Sequence, residues 1–210
     1  MTVYLIRHGE TDYNVEGRYQ GMYGESRLTQ RGREQARDLP PLLSTLPFTH
    51  VFCSTAHRAR ETLSLALSDY PAACVTYLDT LREVDTGILT DHLVSDMHKT
   101  HPDFYAAQPN GVTDYTAVGG EGPEDVLERA RRVLAEVENS GHDTVAIVSH
   151  GAFLAYLVSA ATGLPLLHRR APLDNCSVSV LEIKEGKGRL RLWNYTAGGL
   201  TRFAPQTAAP

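Results

Sequence analysis

Two histidine-glycine turns, each directly after a short apolar run, are the parts of this chain best suited to chemistry. Arg7-His8-Gly9 follows residues 3–6, and Ser149-His150-Gly151 follows residues 145–148. The branched apolar residues predict buried strands, and open α/β sheets bind ligands at the carboxyl ends of their strands. The glycine after each histidine allows a tight turn and a close approach of a ligand to the backbone. The two turns therefore predict one shared site at this end of a sheet.

A third apolar run, residues 51–53, leads into residues 54–62, which begin a predicted helix and carry Arg58 and Arg60. Helix starts bind anions through free N–H groups, and an arginine adds a bidentate fork. For Arg60 we favour a solvent-exposed position paired with Glu61. We assign Arg58 to the shared site, because Arg7 would otherwise be the only arginine there to bind an anion.

Short apolar runs alternate along the chain with segments of helical period, which is the pattern of βαβ units. This alternation predicts an α/β fold, a three-layer α/β/α sandwich with a mostly parallel central sheet. Near the C-terminus two runs flank a turn at 185–188, which predicts a hairpin that closes the sheet. The predicted strands are 3–6, 51–53, 74–78, 145–148, 177–183 and 190–193, and the predicted helices are 30–38, 56–67, one that begins near Pro123, and 152–161.

Length and composition limit the class of protein. The chain has 210 residues, which fits a single domain over 1–210. Hydrophobic residues make up 42% and charged residues 21%, values that exclude disordered and collagen-like classes. Because 20 lysines and arginines face 25 acidic residues, the net charge is -5. We therefore expect neither nucleic acid nor a membrane surface as a partner, and a local cluster of cations must bind any anion.

The three cysteines, Cys53, Cys74 and Cys176, are too far apart for a Cys-x-x-Cys metal site and do not make an even disulfide set. They predict a reducing, cytoplasmic location, and we expect no metal. The chain also lacks a Gly-x-Ser-x-Gly elbow and a phosphate loop that ends in Gly-Lys-Ser/Thr. Serine hydrolases of the elbow type and kinases of the loop type are therefore excluded.

Between residues 86 and 122 the hydrophobic period fades, and Gly, Pro, Asp and Tyr become common. A connection of this length in a compact domain is typical of a lid or a specificity loop. We expect this insertion to carry the substrate specificity, with a plain surface insertion as the alternative.

Several blocks of the sequence resemble those of the histidine phosphatase superfamily, also called the phosphoglycerate mutase-like family. The resemblance runs from residue 3 to about residue 196 and is specific because the blocks keep their order. It implies a phosphoglycerate mutase-like fold. The matching residues are 5–11, Asn14, 17–21, 28–29, 32–36, Ser54, 58–59, Thr62, 81–83, Gly87, 119–121, 148–151 and 193–196.

The resemblance also implies roles for single residues. His8 would be the nucleophile that becomes phosphorylated, and Glu83 would protonate the leaving group and then activate water. Arg7, Arg58 and His150 would bind the phosphoryl oxygens. The full set of implied phosphate- or substrate-binding residues is Arg7, Asn14, Gln20, Gly21, Arg58, His150 and Gly151.

The identity of the acid separates two branches of this family. One branch uses an Asp directly after the second histidine, where this chain has Gly151. Glu83 therefore fits the other branch. The alternative is that Glu83 is a surface carboxylate paired with Arg82.

The residue types suit this chemistry in their own right. An imidazole can attack phosphorus in line to give a P–N intermediate, which splits one difficult step into two easier ones without a cofactor. Fixed cations aimed at the equatorial oxygens supply most of the stabilisation, and a carboxyl group can protonate the leaving alkoxide. The expected ligands are a small phosphorylated substrate and inorganic phosphate, and the oligomeric state stays open.

Charge favours a phosphatase over a mutase. From residue 84 to residue 128 the only lysine or arginine is Lys99, among many acidic residues. A bisphosphoglycerate-dependent mutase must hold a second anionic group and usually does so with basic residues in this region. We therefore expect a phosphatase that acts on a small phosphomonoester. The alternatives are a cofactor-dependent phosphoglycerate mutase and a non-catalytic phosphate-binding protein.

Overall fold

A seven-stranded sheet forms the centre of the fold. Its strands are β1 (Thr2–Arg7), β2 (His50–Ser54), β3 (Cys74–Leu78), β4 (Thr144–Ser149), β5 (Val178–Lys184), β6 (Lys187–Thr196) and β7 (Gly199–Leu200). The strand order is β3-β2-β4-β1-β5-β6-β7. Strands β3, β2, β4 and β1 are parallel to one another, whereas β5 pairs antiparallel with β1, and β6 and β7 continue the sheet in antiparallel pairs. The computed structural model describes residues 1–68, 74–108, 112–166 and 171–196 and the backbone of 199–200.

Helices cover both faces of this sheet, because alternate side chains of each strand point to opposite faces. On β1, Val3 and Leu5 pack with the helices α7 and α8, whereas Ile6 packs on the face that α2 and α4 cover. The helices are α1 (Asp12–Glu16), α2 (Gln30–Arg37), α3 (Pro40–Leu43), α4 (His57–Ala66), α5 (Val94–Thr100), α6 (Pro102–Ala106), α7 (Pro123–Asn139) and α8 (Gly151–Thr162).

Local signals set the ends of the helices. Thr29 caps α2, since its Oγ1 accepts a hydrogen bond from the backbone N–H of Gly32 over 3.0 Å. Pro123 occupies the first turn of α7, where the Asp125 carboxylate accepts from the N–H of Gly122. Within the described part of the chain, no helix combines the length and the apolar character needed to cross a bilayer.

The predicted three-layer α/β fold is confirmed, and the predicted strand 74–78 matches β3 residue for residue. The turn between β5 and β6 is shorter than the predicted 185–188, because residues 187 and 188 already belong to β6. Glu185 and Gly186 make the turn with φ of 52° and 71°. Two consecutive residues with positive φ are typical of a type I′ hairpin turn.

The insertion at 86–122 contains short helices and a small apolar cluster of its own. Leu89, Met97 and Val118 are buried together within it. Hydrogen bonds also join it to the segment 17–21: the N–H of Tyr19 donates to His92 over 3.0 Å, and the N–H of Asp91 donates back to Tyr19 over 2.9 Å. The insertion therefore packs against the segment that carries Gln20 and Gly21.

The parallel strands bring the predicted site residues to one edge of the sheet. Arg7 lies in register with Ser149, and Cys53 lies in register with Val148. The turns that follow β1, β2 and β4 therefore leave the sheet side by side.

Candidate active site

His8 lies directly after β1 with its side chain buried. Its backbone N–H donates to the carbonyl of Ser149 over 3.0 Å, which ties the first histidine turn to the second. The ring Nδ1 lies 2.8 Å from the carbonyl oxygen of Gly9. Because a carbonyl can only accept, Nδ1 carries the proton, and the neutral ring keeps its lone pair on Nε2.

The charge state of His8 follows from its surroundings. Burial, together with the positive charges of Arg58 and Arg7, holds the pKa of His8 well below its usual value. The imidazole is therefore uncharged at neutral pH. A neutral imidazole with a fixed Nδ1–H is a nucleophile that needs no separate base.

Arg58 projects from the first turn of α4 into the same site and is 1% exposed. Its Nη1 donates to the carbonyl of Gly24 over 3.0 Å, and its Nη2 donates to that of Gly21 over 2.9 Å. Burial lowers the pKa of Arg58 to about 10, so the guanidinium stays charged at neutral pH. Each Nη retains a second N–H beyond these bonds, and these two N–H groups are available to an anion.

His150 follows β4 and is fully buried, with its ring centroid 5.2 Å from that of His8. Its Nδ1 accepts from the Nε–H of Arg58 over 3.1 Å. The proton is therefore on Nε2, which donates to the Oγ of Ser54 over 2.8 Å. Burial and the nearby charge of Arg58 hold the pKa of His150 well below its usual value. Both ring nitrogens thus fix the position of the ring, and Nδ1 orients Arg58.

Arg7 is the second cation of the site. Its Nη1 donates to the carbonyl of Leu173, whereas its Nε is buried without a hydrogen-bond partner among the described residues. A Cβ added at Gly151 would lie 3.2 Å from this Nε. The glycine of the second turn therefore lets Arg7 approach the N-terminus of α8. Among the described residues the Nε–H of Arg7 is unpaired there and can bind an anion.

The carboxylate of Glu83 is bound at the N-terminus of α8. Its Oε1 accepts from the backbone N–H of Phe153 over 2.9 Å, and its Oε2 accepts from that of Ala152 over 3.2 Å. Arg82 contacts Asp79 rather than Glu83, with Nε 3.3 Å from the Asp79 carboxylate. The alternative that Glu83 pairs with Arg82 is therefore wrong.

Asn14 and Gln20, two predicted phosphate-binding residues, have their amide oxygens bound to protein donors. The Oδ1 of Asn14 accepts from the N–H of Thr11 over 3.1 Å and from the Nδ2 of Asn175 over 3.2 Å. The Oε1 of Gln20 accepts from the hydroxyl of Ser26 over 2.7 Å. Because each amide oxygen is bound to a protein donor, each NH₂ group is directed away from that donor. These NH₂ groups are the donors that the predicted phosphate contacts need.

A cavity of about 180 Å³ opens beside Glu83. It is lined by Arg18, Tyr19, Gln20, Gly21, Glu83, Val84, Thr86, Thr113, Tyr115, Ala152 and Tyr156. Another cavity, of about 450 Å³, is larger, but its lining does not include Glu83. The smaller cavity is therefore the candidate substrate pocket. Among the described residues no group of three or more His, Cys, Asp or Glu side chains could hold a metal ion.

The sequence profile of the histidine phosphatase superfamily (branch 1) matches residues 3–196 of the chain. The chain belongs to this superfamily. The predicted family, the predicted phosphoglycerate mutase-like fold and the predicted class of enzyme are thereby confirmed.

Several known proteins resemble this one over most of its length. A protein of Salmonella paratyphi A named "Probable phosphoglycerate mutase GpmB" is 31% identical over 201 residues, which are 95% of this chain and 93% of that protein. The crystal structure of the alpha-ribazole phosphatase from Shigella flexneri is 32% identical, with a TM-score of 0.83 over 96% of this chain and 100% of that one. A mycobacterial glucosyl-3-phosphoglycerate phosphatase in complex with VO3 is 27% identical, with a TM-score of 0.81 over 92% of this chain and 98% of that one.

The site of this histidine phosphatase contains residues to which the sequence alone assigns no role. Thr62 Oγ1 accepts from the N–H of Gly9 over 3.0 Å and donates to the carbonyl of Arg58 over 2.7 Å, so it links two parts of the site. Ser54 Oγ accepts from the Nε2–H of His150 and so holds the ring in place. Both residues lie in the blocks that resemble the family. The spacing of four between Arg58 and Thr62 places them one helical turn apart, and this spacing could have indicated a role for Thr62. Asn175 comes from a loop without periodicity, and no pattern predicts it.

The prediction for Arg60 was partly wrong. The residue is exposed, as expected, but its guanidinium lies 5.1 Å from the centroid of the Tyr77 ring. Glu61 pairs instead with Arg33, whose Nε donates to its Oε1 over 2.7 Å. Neither contact could be predicted from local sequence, because Tyr77 on β3 and Arg33 on α2 are both distant from α4 along the chain.

Proposed function

We propose that this protein hydrolyses small phosphomonoesters by transferring the phosphoryl group to His8 and then to water. One observation carries the proposal: the Nδ1–H of His8 is bound to the carbonyl of Gly9, which leaves the Nε2 lone pair free near the positive charges of Arg58 and Arg7. A general phosphate-binding protein needs the cations but has no need of a buried, neutral imidazole with a fixed tautomer. The arrangement therefore favours catalysis over binding alone.

In the first step, Nε2 of His8 forms a bond to phosphorus while the bond from phosphorus to the ester oxygen breaks. Glu83 enters this step protonated, gives that proton to the leaving oxygen and is left as a carboxylate. The N–H groups of Arg7 and Arg58 neutralise the charge on the three equatorial oxygens, where the transition state carries it. Asn14 adds a further donor. The products of this step are the free alcohol and a phosphorylated His8.

In the second step, a water molecule attacks phosphorus and the P–N bond breaks. Glu83, now ionised, takes one proton from the water, and the lone pair returns to Nε2 of His8. Inorganic phosphate leaves, and the enzyme regains its starting state. His150 stays neutral throughout and, by accepting from the Nε–H of Arg58 at Nδ1, keeps that guanidinium oriented toward the phosphoryl oxygens.

The candidate pocket favours a phosphatase over a mutase. Arg18 is the one cation among the residues that line the pocket, and its guanidinium pairs with the carboxylate of Glu16 and donates to the carbonyl of Asp91. Its charge is therefore already offset. A second phosphate or carboxylate of a bisphosphorylated cofactor has no unpaired cation to bind there. We propose that the insertion at 86–122, which supplies Thr86 to this pocket, selects the substrate.

The lining of the pocket also points to a class of leaving group. Tyr19, Tyr115 and Tyr156 contribute aromatic surface, and Thr86 and Thr113 contribute small polar surface. Such a surface packs against a ring and hydrogen-bonds to hydroxyl groups. The names of the Shigella flexneri and mycobacterial relatives refer to ribazole and glucosyl compounds. We propose a phosphomonoester whose alcohol part is an uncharged, hydroxylated ring.

Phosphate release and phosphoryl transfer between substrates are distinguished by one assay. The protein is incubated with 3-phosphoglycerate with and without catalytic 2,3-bisphosphoglycerate, and separately with a panel of sugar and nucleoside phosphomonoesters. We expect inorganic phosphate to be released fastest from a ring-bearing ester. His8→Asn is the control, since it should abolish both activities. Interconversion of 2- and 3-phosphoglycerate that is accelerated by the bisphosphate far beyond phosphate release would overturn the proposal.

We further propose that the protein is cytoplasmic and that residues 1–210 form a single domain with one insertion. All three cysteines are free thiols in the structure, two of them buried. Free thiols of this kind are typical of a reducing compartment. A fluorescent fusion that localises outside the cytoplasm would contradict the assignment.

A further inference from the structure

Arg129 is a buried arginine on the core-facing side of α7. Its side chain is 7% exposed, and it lies in line with the apolar residues Val126, Ala130 and Val133. Arginine is almost never buried unless its charge is paired. Glu121 pairs it through two parallel hydrogen bonds, from Nε to Oε1 over 2.8 Å and from Nη2 to Oε2 over 2.7 Å. This fork geometry is one that a lysine cannot reproduce.

The other N–H groups of Arg129 bind the backbone that carries the proposed acid. Nη1 donates to the carbonyls of Thr80 and Arg82 over 3.0 Å and 2.7 Å. Nη2 lies 3.4 Å from the carbonyl of Glu83 itself. One guanidinium thus binds three carbonyls of the segment 80–83. The last two residues of this segment, Arg82 and Glu83, lie in neither a helix nor a strand.

The same ion pair also reaches the opposite side of Glu83. Glu121 Oε2 accepts from the backbone N–H of Asp85 over 2.9 Å, so the segment is held on both sides of the acid. The guanidinium carbon of Arg129 lies 4.2 Å from the ring centroid of Phe153. Phe153 is the residue whose N–H binds the Glu83 carboxylate. Arg129 therefore contacts both the backbone that carries Glu83 and the helix turn that binds its side chain.

We propose that Arg129, paired with Glu121, is the positioning residue that sets the Glu83 carboxyl at the distance needed to protonate the leaving oxygen. The inference rests on the proposed function, because it assumes that Glu83 acts as the acid. A positioned general acid contributes on the order of 10²–10⁴-fold to the rate. A displacement of about 1 Å costs on the order of 10²-fold. The effect of losing the fork should therefore fall on proton transfer to the leaving group.

The dependence on the leaving group is the readout that a merely structural role would not produce. An alkyl phosphate leaves as an alkoxide and needs the proton, whereas p-nitrophenyl phosphate leaves as a stable phenolate and does not. The parameter compared is kcat/KM, because it covers the steps up to formation of the phosphorylated enzyme. For Arg129→Lys we expect kcat/KM to fall about 10²-fold with the alkyl ester and less than about threefold with p-nitrophenyl phosphate. Arg132→Lys, an exposed arginine on the same helix, is the matched control and should change neither.

Equal losses with both esters, or no loss with either, would overturn the positioning role. Glu83→Gln is measured in parallel and should show the same leaving-group dependence at full size. If Glu83→Gln lacks that dependence, the acid has been misassigned and the proposed function needs revision. If Glu83→Gln shows it and Arg129→Lys does not, the positioning role alone is wrong.

A second variant covers the case in which Arg129→Lys fails to fold. Glu121→Gln keeps an acceptor for the N–H of Asp85 but removes the charge that pairs with Arg129. We expect a loss of about tenfold with the alkyl ester and an unchanged value with p-nitrophenyl phosphate, since part of the hydrogen bonding is kept. Full activity of Glu121→Gln with both esters would contradict the proposal.

Discussion

Gly21 is a position at which a single added methyl group should disturb both folding and anion binding. The residue has a φ of +53°, and a Cβ there would lie 2.5 Å from Thr86 Oγ1 and 2.7 Å from Thr90 Oγ1. These two hydroxyls also hydrogen-bond to each other over 2.8 Å, so they have little room to move. The carbonyl of Gly21 accepts from Nη2 of Arg58. Gly21→Ala should therefore strain the backbone, push against the insertion and shift Arg58.

Gly17 is the matched position against which the loss of stability in Gly21→Ala is estimated. Gly17 also has a positive φ, +70°, but a Cβ there would meet nothing within 4 Å. A left-handed backbone at alanine costs about 1–2 kcal/mol, and this cost applies to both substitutions. Overpacking adds about 1–3 kcal/mol at Gly21 alone. The unfolded chain loses the same freedom in both variants, so this contribution cancels in the comparison.

Urea denaturation of the two variants and of the wild type measures the difference directly. We expect Gly21→Ala to lower the free energy of unfolding by about 1–3 kcal/mol more than Gly17→Ala does. Inhibition by vanadate reports on Arg58: a loss of about 1.4 kcal/mol in anion binding raises the inhibition constant tenfold for Gly21→Ala. Gly17→Ala should leave that constant unchanged.

A second experiment removes the side chains that the added methyl group of Gly21→Ala would push against. In a Thr86→Ala/Thr90→Ala background the two clashing hydroxyls are gone, and the cost of Gly21→Ala should fall to that of Gly17→Ala. If Gly21→Ala is no more destabilising than Gly17→Ala in the wild-type background, the close packing between the segment 17–21 and the insertion is refuted.

Three further predictions concern the buried polar groups. Because the folded-state pKa values of His8 and His150 lie below the ordinary 6.5, the unfolded chain binds more protons below that pH, and the free energy of unfolding should fall by about 1.4 kcal/mol per pH unit for each histidine. Urea titrations between pH 7 and 5 check this, and His8→Asn should halve the slope; a flat profile contradicts it. Arg58→Lys should raise the vanadate inhibition constant at least about tenfold, since an ammonium cannot bind two carbonyls, His150 and an anion together; an unchanged constant excludes the role. Ser54→Ala should cost about 1–3 kcal/mol of stability by leaving the Nε2–H of His150 unpaired, and an unchanged urea midpoint would argue against that hydrogen bond.

The parallel part of the sheet and the two histidine turns could be predicted because they depend on local patterns. Branched apolar runs predicted β1 and β4, and the glycine after each histidine predicted where the chain turns. Register then followed from topology, since neighbouring parallel strands place their carboxyl ends side by side. Arg58 could be assigned because a helix start directly after a strand points to the same edge.

The parts that could not be predicted depend on contacts between residues far apart in the chain. The pair of Ser54 with His150 and the contact of Arg129 with Thr80 both join separate elements. A buried arginine in an apolar stripe looks like an ordinary surface residue in the sequence, because its partner Glu121 lies outside the helix. The short helices of the insertion could not be predicted for a related reason: each spans only a few residues, and the apolar residues that form the small cluster around Met97 follow no regular period.

Trapping the phosphorylated enzyme is the most direct test of the account. The protein is mixed rapidly with a substrate labelled in its phosphoryl group, quenched in alkali and digested, and the labelled peptide is mapped. We predict a burst of label on His8 within the first turnover, no label in His8→Asn, and a longer-lived label in Glu83→Gln, in which water activation is slowed. Label on any other residue, or turnover of wild-type enzyme without any trapped phosphohistidine, would contradict His8 as the nucleophile.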